Sequence, residues 1–134
     1  VRARCEALGF MGQTIKAEGL RGYEIHMGQT DFTRAEDMHP LCITERANQA
    51  CSKTEGTMGA DGRVFGTYIH GIFDHDEFRR SLLNALRLAK GLPALKNTRN
   101  VYAEKQRSYD ALADTVRAHL DMEKLREIMC EAAE

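Results

Sequence analysis

What this sequence lacks narrows its function before any motif is read. No apolar run in its 134 residues approaches the ~20 needed to span a bilayer, and no signal-peptide pattern is visible. Neither sign of charge prevails. Nineteen Lys and Arg against 20 Asp and Glu give a net charge of −1, which argues against nucleic acid or an anionic membrane surface as the main partner. Cysteine is sparse and irregularly spaced: Cys5, Cys42, Cys51 and Cys130 form no C-x-x-C pair. That fits the reduced thiols of a cytoplasmic protein better than a disulfide framework or a zinc site. No G-x-x-x-x-G-K-[ST] phosphate loop and no G-x-S-x-G nucleophile elbow occur, nor any internal repeat or low-complexity tract. A hydrophobic content of 43% with 29% charged residues remains, the composition of an ordinary globular domain. The chain begins with Val1 and is expected to be a piece of something longer.

Strand patterns fill the first half. Val1-Arg2-Ala3-Arg4-Cys5 alternates apolar and charged, as a strand with one buried face does. Ile15 and Ala17 continue a second strand, with a turn expected at Glu18-Gly19. Residues 20–27 read as a further strand, with Tyr23, Ile25 and Met27 on one side and Glu24 and His26 on the other. Those two polar residues suit either an ordinary solvated face or the lining of a site. A surface loop is expected over 29–40, with Asp31, Asp37 and His39-Pro40. A short strand follows at 41–44, then loop over 47–55. Two arms at 57–60 and 63–65 flank Asp61-Gly62, the signal of a two-residue hairpin.

The stretch that most suggests chemistry is Gly66-Thr67-Tyr68-Ile69-His70-Gly71-Ile72-Phe73-Asp74-His75-Asp76. Residues 64–69 are β-branched and aromatic enough for a buried strand, and Gly71 frees the backbone to turn. Asp74 is expected to cap a helix, Glu77 to complete a capping box and Phe73 to staple onto Phe78. Phe78, Leu82, Ala85, Leu86 and Ala89 make one apolar stripe running to about Lys90, where Gly91 and Pro93 stop the helix. A polar linker over 96–100 precedes a helix striped by Tyr102, Tyr109, Leu112, Val116 and Leu120. Asp121 caps a last helix. Strands first and helices last suggest α+β, or half of a larger α/β domain.

One imidazole, His70, thus stands at the carboxyl end of a strand, where open α/β sheets bind ligands. His70, Asp74, His75 and Asp76 lie close enough in sequence to invite a metal, but Asp74 serves better as a cap and Asp76 suits the first helical turn; no metal site is expected. As a general base His70 needs a nucleophile within reach, and none of the four cysteines stands on a glycine-flanked turn that would activate it. A purely structural histidine is the alternative.

Gly22-Tyr23-Glu24-Ile25-His26-Met27-Gly28 and the motif from Gly66 to Asp74 resemble the paired signatures of the cobyric acid synthase family, in its glutamine amidotransferase domain. Tyr109-Asp110-Ala111-Leu112-Ala113-Asp114 through His119-Leu120-Asp121-Met122 resembles the family's C-terminus, so the resemblance spans nearly the whole chain. It implies an α/β fold with the mixed sheet of class I glutamine amidotransferases flanked by helices, residues 1–134 being only the C-terminal portion of that domain. It also implies an amide ligase of cobalamin biosynthesis that hydrolyses glutamine and amidates peripheral carboxylates of a cobyrinic acid diamide. His70 matches the catalytic histidine, which takes the proton from a cysteine thiol. Many class I amidotransferases carry glutamate two residues later, whereas Ile72 stands here. This family retains only the cysteine and histidine of that triad, which leaves Glu24, Asp74 or a main-chain carbonyl to orient the imidazole, with His26 lining the site.

The same resemblance places the cysteine nucleophile, the ATP-binding domain and its Mg2+ upstream, so no cofactor is expected in this chain. The alternatives are a cobyrinic acid a,c-diamide synthase or related amidotransferase, and a non-catalytic binding module of the same fold. Glutamine, the corrinoid substrate and the missing N-terminal portion are the expected partners. An incomplete sheet exposes apolar edges, so the 134-residue chain is expected to self-associate in light scattering. A well-behaved monomer without an exposed apolar edge would count against that.

Overall fold

A computed structural model describes residues 1–28, 30, 38–97 and 99–131, so Asp31 and Asp37 of the expected loop lie outside the described residues. In chain order the strands are β1 (Arg2–Phe10), β2 (Gln13–Arg21), β3 (Tyr23–Glu24), β4 (Leu41–Arg46), β5 (Gln49–Glu55), β6 (Thr57–Met58), β7 (Phe65–Gly66) and β8 (Ile69–His70). A 3-10 turn (Ile72–Asp74) and the helices α1 (Asp76–Ala89), α2 (Val101–His119) and α3 (Met122–Glu131) follow. The α/β class expected from the sequence forms, but the main sheet is antiparallel among the described residues and not the mixed sheet expected. Every strand pairing among the described residues is antiparallel. No helix among them is long and apolar enough to cross a membrane.

Two hairpins joined side by side make the main sheet, in the order β2-β1-β4-β5. The first turns at Met11 (φ 52) and Gly12 (φ 78), the paired left-handed residues that match strand twist. The second turns at Ala47 (φ 50) and Asn48 (φ 62). The segment expected as loop over 47–55 is therefore a turn and a strand. Residues 49–54 are exposed along the sheet edge, so β5 carries no hydrophobic alternation to betray it. The turn expected at Glu18-Gly19 is likewise a bulge. The register jumps from Ala3↔Leu20 to Cys5↔Ala17, and Gly19 takes φ 65 where the strand passes on. A matching irregularity in β1 lies between Cys5 and Leu8. Each bulge resets the two-residue alternation, so Ala3, Cys5 and Leu8 on β1, and Ile15 and Leu20 on β2, all reach the core.

Helix α1 packs on that core through Phe78, Leu82 and Ala85, the stripe read from the sequence. Its end is a Schellman arrangement: Leu92 N–H bonds Arg87 O at 2.8 Å and Gly91 N–H bonds Leu88 O at 2.9 Å, with Gly91 at φ 70. Asn84 exchanges two 2.9 Å bonds with the main chain of Leu95, tying the following linker back to the helix. These elements belong to one compact unit, Val1–Arg99. The second unit, Asn100–Glu134, holds α2, capped by Asn100 on Ala103 N–H, and α3, capped by Asp121 on Lys124 N–H as expected.

Phe78 is fully buried, with Phe65 edge-on and Phe73 stacked, each at 6.4 Å between centroids. Phe78→Ala is expected to cost about 3–5 kcal/mol. Phe73→Ala removes a ring that is 53% exposed and should cost much less. Urea denaturation of the two variants checks this, and equal losses would contradict the packing described.

Candidate active site

The stretch around His70 is built from three short pieces instead of the continuous strand expected over 64–69. β6 and β7 pair through Thr57↔Gly66 and Met58↔Phe65, and Gly59 N–H bonds Val64 O at 2.8 Å. The hairpin loop is thus the four residues 60–63, not Asp61-Gly62 alone. Its tip is held against the first hairpin by Met11 N–H on Gly62 O at 2.9 Å. The chain then leaves β6 for a different partner. The Glu55 carboxylate accepts the Thr67 hydroxyl at 2.7 Å and the Tyr68 N–H at 2.6 Å, and Thr67 Oγ1 accepts the Ile69 N–H at 3.0 Å. A carboxylate and a hydroxyl stand in for a neighbouring strand, and this breaks the predicted strand in two.

Beyond the break, β8 pairs with β3 through Tyr23↔His70 and Glu24↔Ile69. Directly opposed residues of an antiparallel pair share a face. The rings of Tyr23 and His70 accordingly stack, with centroids 5.2 Å apart and planes 10° from parallel. Gly22 makes this approach possible, because a β-carbon there would collide with the His70 carbonyl oxygen. His70 itself is exposed.

The other expected site residues fall differently. Glu24 is opposite Ile69, which is buried, so its side chain lies on the face away from His70 and does not orient it. Arg46 holds Glu24 instead, in a bidentate pair at 2.8 Å and 2.8 Å. His26 stacks on Tyr68, with centroids 4.4 Å apart, and the Tyr68 hydroxyl bonds Thr30 at 2.7 Å. Glu24, His26, His39, Lys53, Glu55 and Tyr68 share the wall of a cleft of about 670 Å³ whose lining does not include His70 or Asp74. The expected single site is therefore divided between a stacked Tyr23–His70 pair and a separate cleft.

After His70, Gly71 takes φ 79 and the 3-10 turn begins. The turn displaces the helix start, so Asp74 lies exposed at the turn's end and is not the cap expected. His75 is the cap, its Nδ1 accepting Phe78 N–H at 3.3 Å. Phe78 thereby occupies the third helical position that a capping box would have assigned to Glu77. Arg79 clamps this loop, donating to Phe73 O at 2.6 Å and to Asp76 Oδ1 at 2.7 Å. Sequence reasoning missed Tyr23 as the partner of His70, and Arg46, His75 and Glu55 as structural anchors. Only Tyr23 carried a signal, since it stands inside the same motif as Glu24.

Among the described residues no group of three or more His, Cys, Asp or Glu side chains is placed to hold a metal ion. The cysteines are no better placed as nucleophiles. Cys5 and Cys42 are buried, whereas Cys51 and Cys130 are exposed on a strand and a helix. Burial pushes the Cys5 thiol above its ordinary value; a main-chain hydrogen bond from Leu8 opposes this and the Glu6 charge adds to it. Cys5 is a packed core thiol, the opposite of an activated thiolate.

The comparisons with known proteins agree with one another. The CobB/CobQ-like glutamine amidotransferase domain family matches residues 1–78. A cobyric acid synthase of Clostridium novyi (strain NT) is 45% identical over 113 residues, 84% of this chain and 22% of its own length. One from Citrobacter koseri is 42% identical over 120 residues, 88% of this chain and 23% of its length. One from Caldanaerobacter subterraneus subsp. tengcongensis is 37% identical over 131 residues, 92% of this chain and 26% of its length. The chain spans about a quarter of the length of the curated relatives it matches. No solved structure matches it.

Two thiols of the native chain, Cys51 and Cys130, should react quickly with a maleimide or disulfide reagent, and all four only on unfolding. Because the folded-state pKa of Cys5 is raised, the stability it contributes is full below the ordinary value of 9.0 and falls as pH rises through the folded value. Rapid labelling of Cys5 at neutral pH, located by mass spectrometry, would contradict both statements.

Proposed function

Because the chain belongs to the CobB/CobQ-like glutamine amidotransferase domain family, we propose that His70 is the general base of a cysteine-dependent glutamine hydrolysis whose thiol lies outside these residues. One observation carries this reading. The imidazole stands exposed at the end of β8, set by backbone pairing and by the stacked Tyr23 ring. A base must be held firmly and yet leave an edge open to the group it serves. Stacking restrains the plane of the ring and leaves its nitrogens accessible at the edge.

The chemistry runs in two stages. The imidazole takes the thiol proton as sulfur attacks the side-chain carbonyl of glutamine, and returns that proton to the departing ammonia. It then takes a proton from water as water opens the thioester and gives that proton to the departing sulfur, releasing glutamate and restoring the free thiol and the neutral imidazole. The ammonia serves an amide ligase, and the relatives' names point to cobyric acid formation on a corrinoid, within cobalamin biosynthesis. On this reading ATP and Mg2+ serve a synthetase domain outside these residues. The same reading makes residues 1–134 a portion of an amidotransferase domain with partners in the rest of the enzyme.

In an intact synthase containing this sequence, His70→Ala should abolish glutamine-dependent amidation and largely spare amidation driven by added ammonia. The 134-residue chain alone should show no glutaminase activity above background, because acid–base help worth about 10²–10⁴-fold does not replace a missing nucleophile. Equal loss of both amidation activities in His70→Ala would show that the residue acts structurally and would overturn the assignment.

A further inference from the structure

Among the described residues one charged side chain is buried: Glu55, only 8% exposed. It closes β5, a strand otherwise exposed throughout. No cation lies within ion-pair distance among these residues. An ionised carboxylate taken out of water without a counter-ion is costly unless hydrogen bonds satisfy it. A hydrophobic residue of similar size would satisfy packing alone, so the geometry of what Glu55 holds is informative.

The carboxylate grips two consecutive residues, the Thr67 hydroxyl and the Tyr68 N–H, and through Thr67 Oγ1 it extends to the Ile69 N–H. These donors fall in the gap where the chain has left β6 and joins β3. His70 is the next residue. The surroundings allow little compensating movement. Gly56, at φ 78, sits so close to β7 that a β-carbon there would come within 3.0 Å of Gly66 O. On the far side, Gly22 is closed down on the His70 carbonyl.

We propose that Glu55 is a positioning residue for His70: its buried carboxylate sets the backbone of residues 67–69 and so fixes where the imidazole stands against Tyr23. The inference rests on the reading of His70 as the base of glutamine hydrolysis. Glu55 touches no reacting atom. Its effect passes through three hydrogen bonds and one strand pairing, and a base displaced by about 1 Å loses on the order of 10²-fold in rate.

The test uses the full-length synthase containing this sequence, with glutamine-dependent and ammonia-dependent amidation measured side by side on Glu55→Ala, Glu55→Gln, Thr67→Val and His70→Ala. Glu55→Ala should lower the glutamine-dependent kcat by about 10–100-fold, with the KM for glutamine and the ammonia-dependent rate nearly unchanged. Glu55→Gln should recover much of that loss, because the amide oxygen still accepts Tyr68 N–H and the amide nitrogen can donate to the Thr67 hydroxyl. If Glu55→Ala does not fold, Thr67→Val reads the same contact at nearly constant shape and should lower kcat in the same selective way. Equal loss of both activities, or a wild-type glutamine-dependent kcat in folded Glu55→Ala or Thr67→Val, would overturn the proposal. His70→Ala separates the two readings. If that variant keeps glutamine-dependent activity the assignment of the base fails, whereas if it is inactive and the Glu55 and Thr67 variants are not, only the positioning role fails.

Discussion

A carboxylate replacing a strand is the constraint on which the region around His70 depends. Backbone amides that leave one ladder and join another must find acceptors on the way, since an unpaired buried N–H costs about as much as a lost hydrogen bond. Glu55 and Thr67 supply acceptors for Tyr68 and Ile69. With those satisfied, Phe65–Gly66 can pair with β6 and Ile69–His70 with β3. The site therefore draws together the first hairpin's exit, the end of β5 and the start of α1, which no local stretch of sequence contains.

Two glycines and one arginine hold the pieces at that junction. Gly22 allows β3 to close on β8 where any side chain would strike the His70 carbonyl. Gly71 turns the chain in the left-handed region directly after the imidazole. Arg79, on the second turn of α1, reaches back to Phe73 O and Asp76, so the loop is tied to the helix. Charge-assisted bonds of this kind are roughly twice as strong as neutral ones. They fasten the loop to the helix whose other face carries Phe78 into the core.

Much of the architecture was legible in the residues. The stripe of Phe78, Leu82 and Ala85, the Gly91 stop, the Asp121 cap and the strand at 41–44 all rest on local chemistry, and all are present. The failures share a cause. β5 is an edge strand with a solvated surface, so burial left no pattern in it. The bulges at Gly19 and between Cys5 and Leu8 shift the alternation on which a strand is recognised. Asp74 and His75 are both able to cap a helix, and the 3-10 turn that decided between them follows from how Gly71 leaves the sheet.

The sequence by itself determined that this is an α/β domain of the amidotransferase family, and that His70 ends a strand before a helix. Those features depend on residue types at fixed local spacing. Register was decided only by tertiary structure. Alternation along 23–26 put Glu24 and His26 on one face, but it could not say which residue across the ladder each would oppose. Pairing Tyr23 with His70, one residue away from the alternative, gave the imidazole an aromatic neighbour and turned Glu24 toward Arg46. In a ladder with a two-residue repeat, a single step of register exchanges the faces of every side chain, and that step is set by contacts between segments some 45 residues apart.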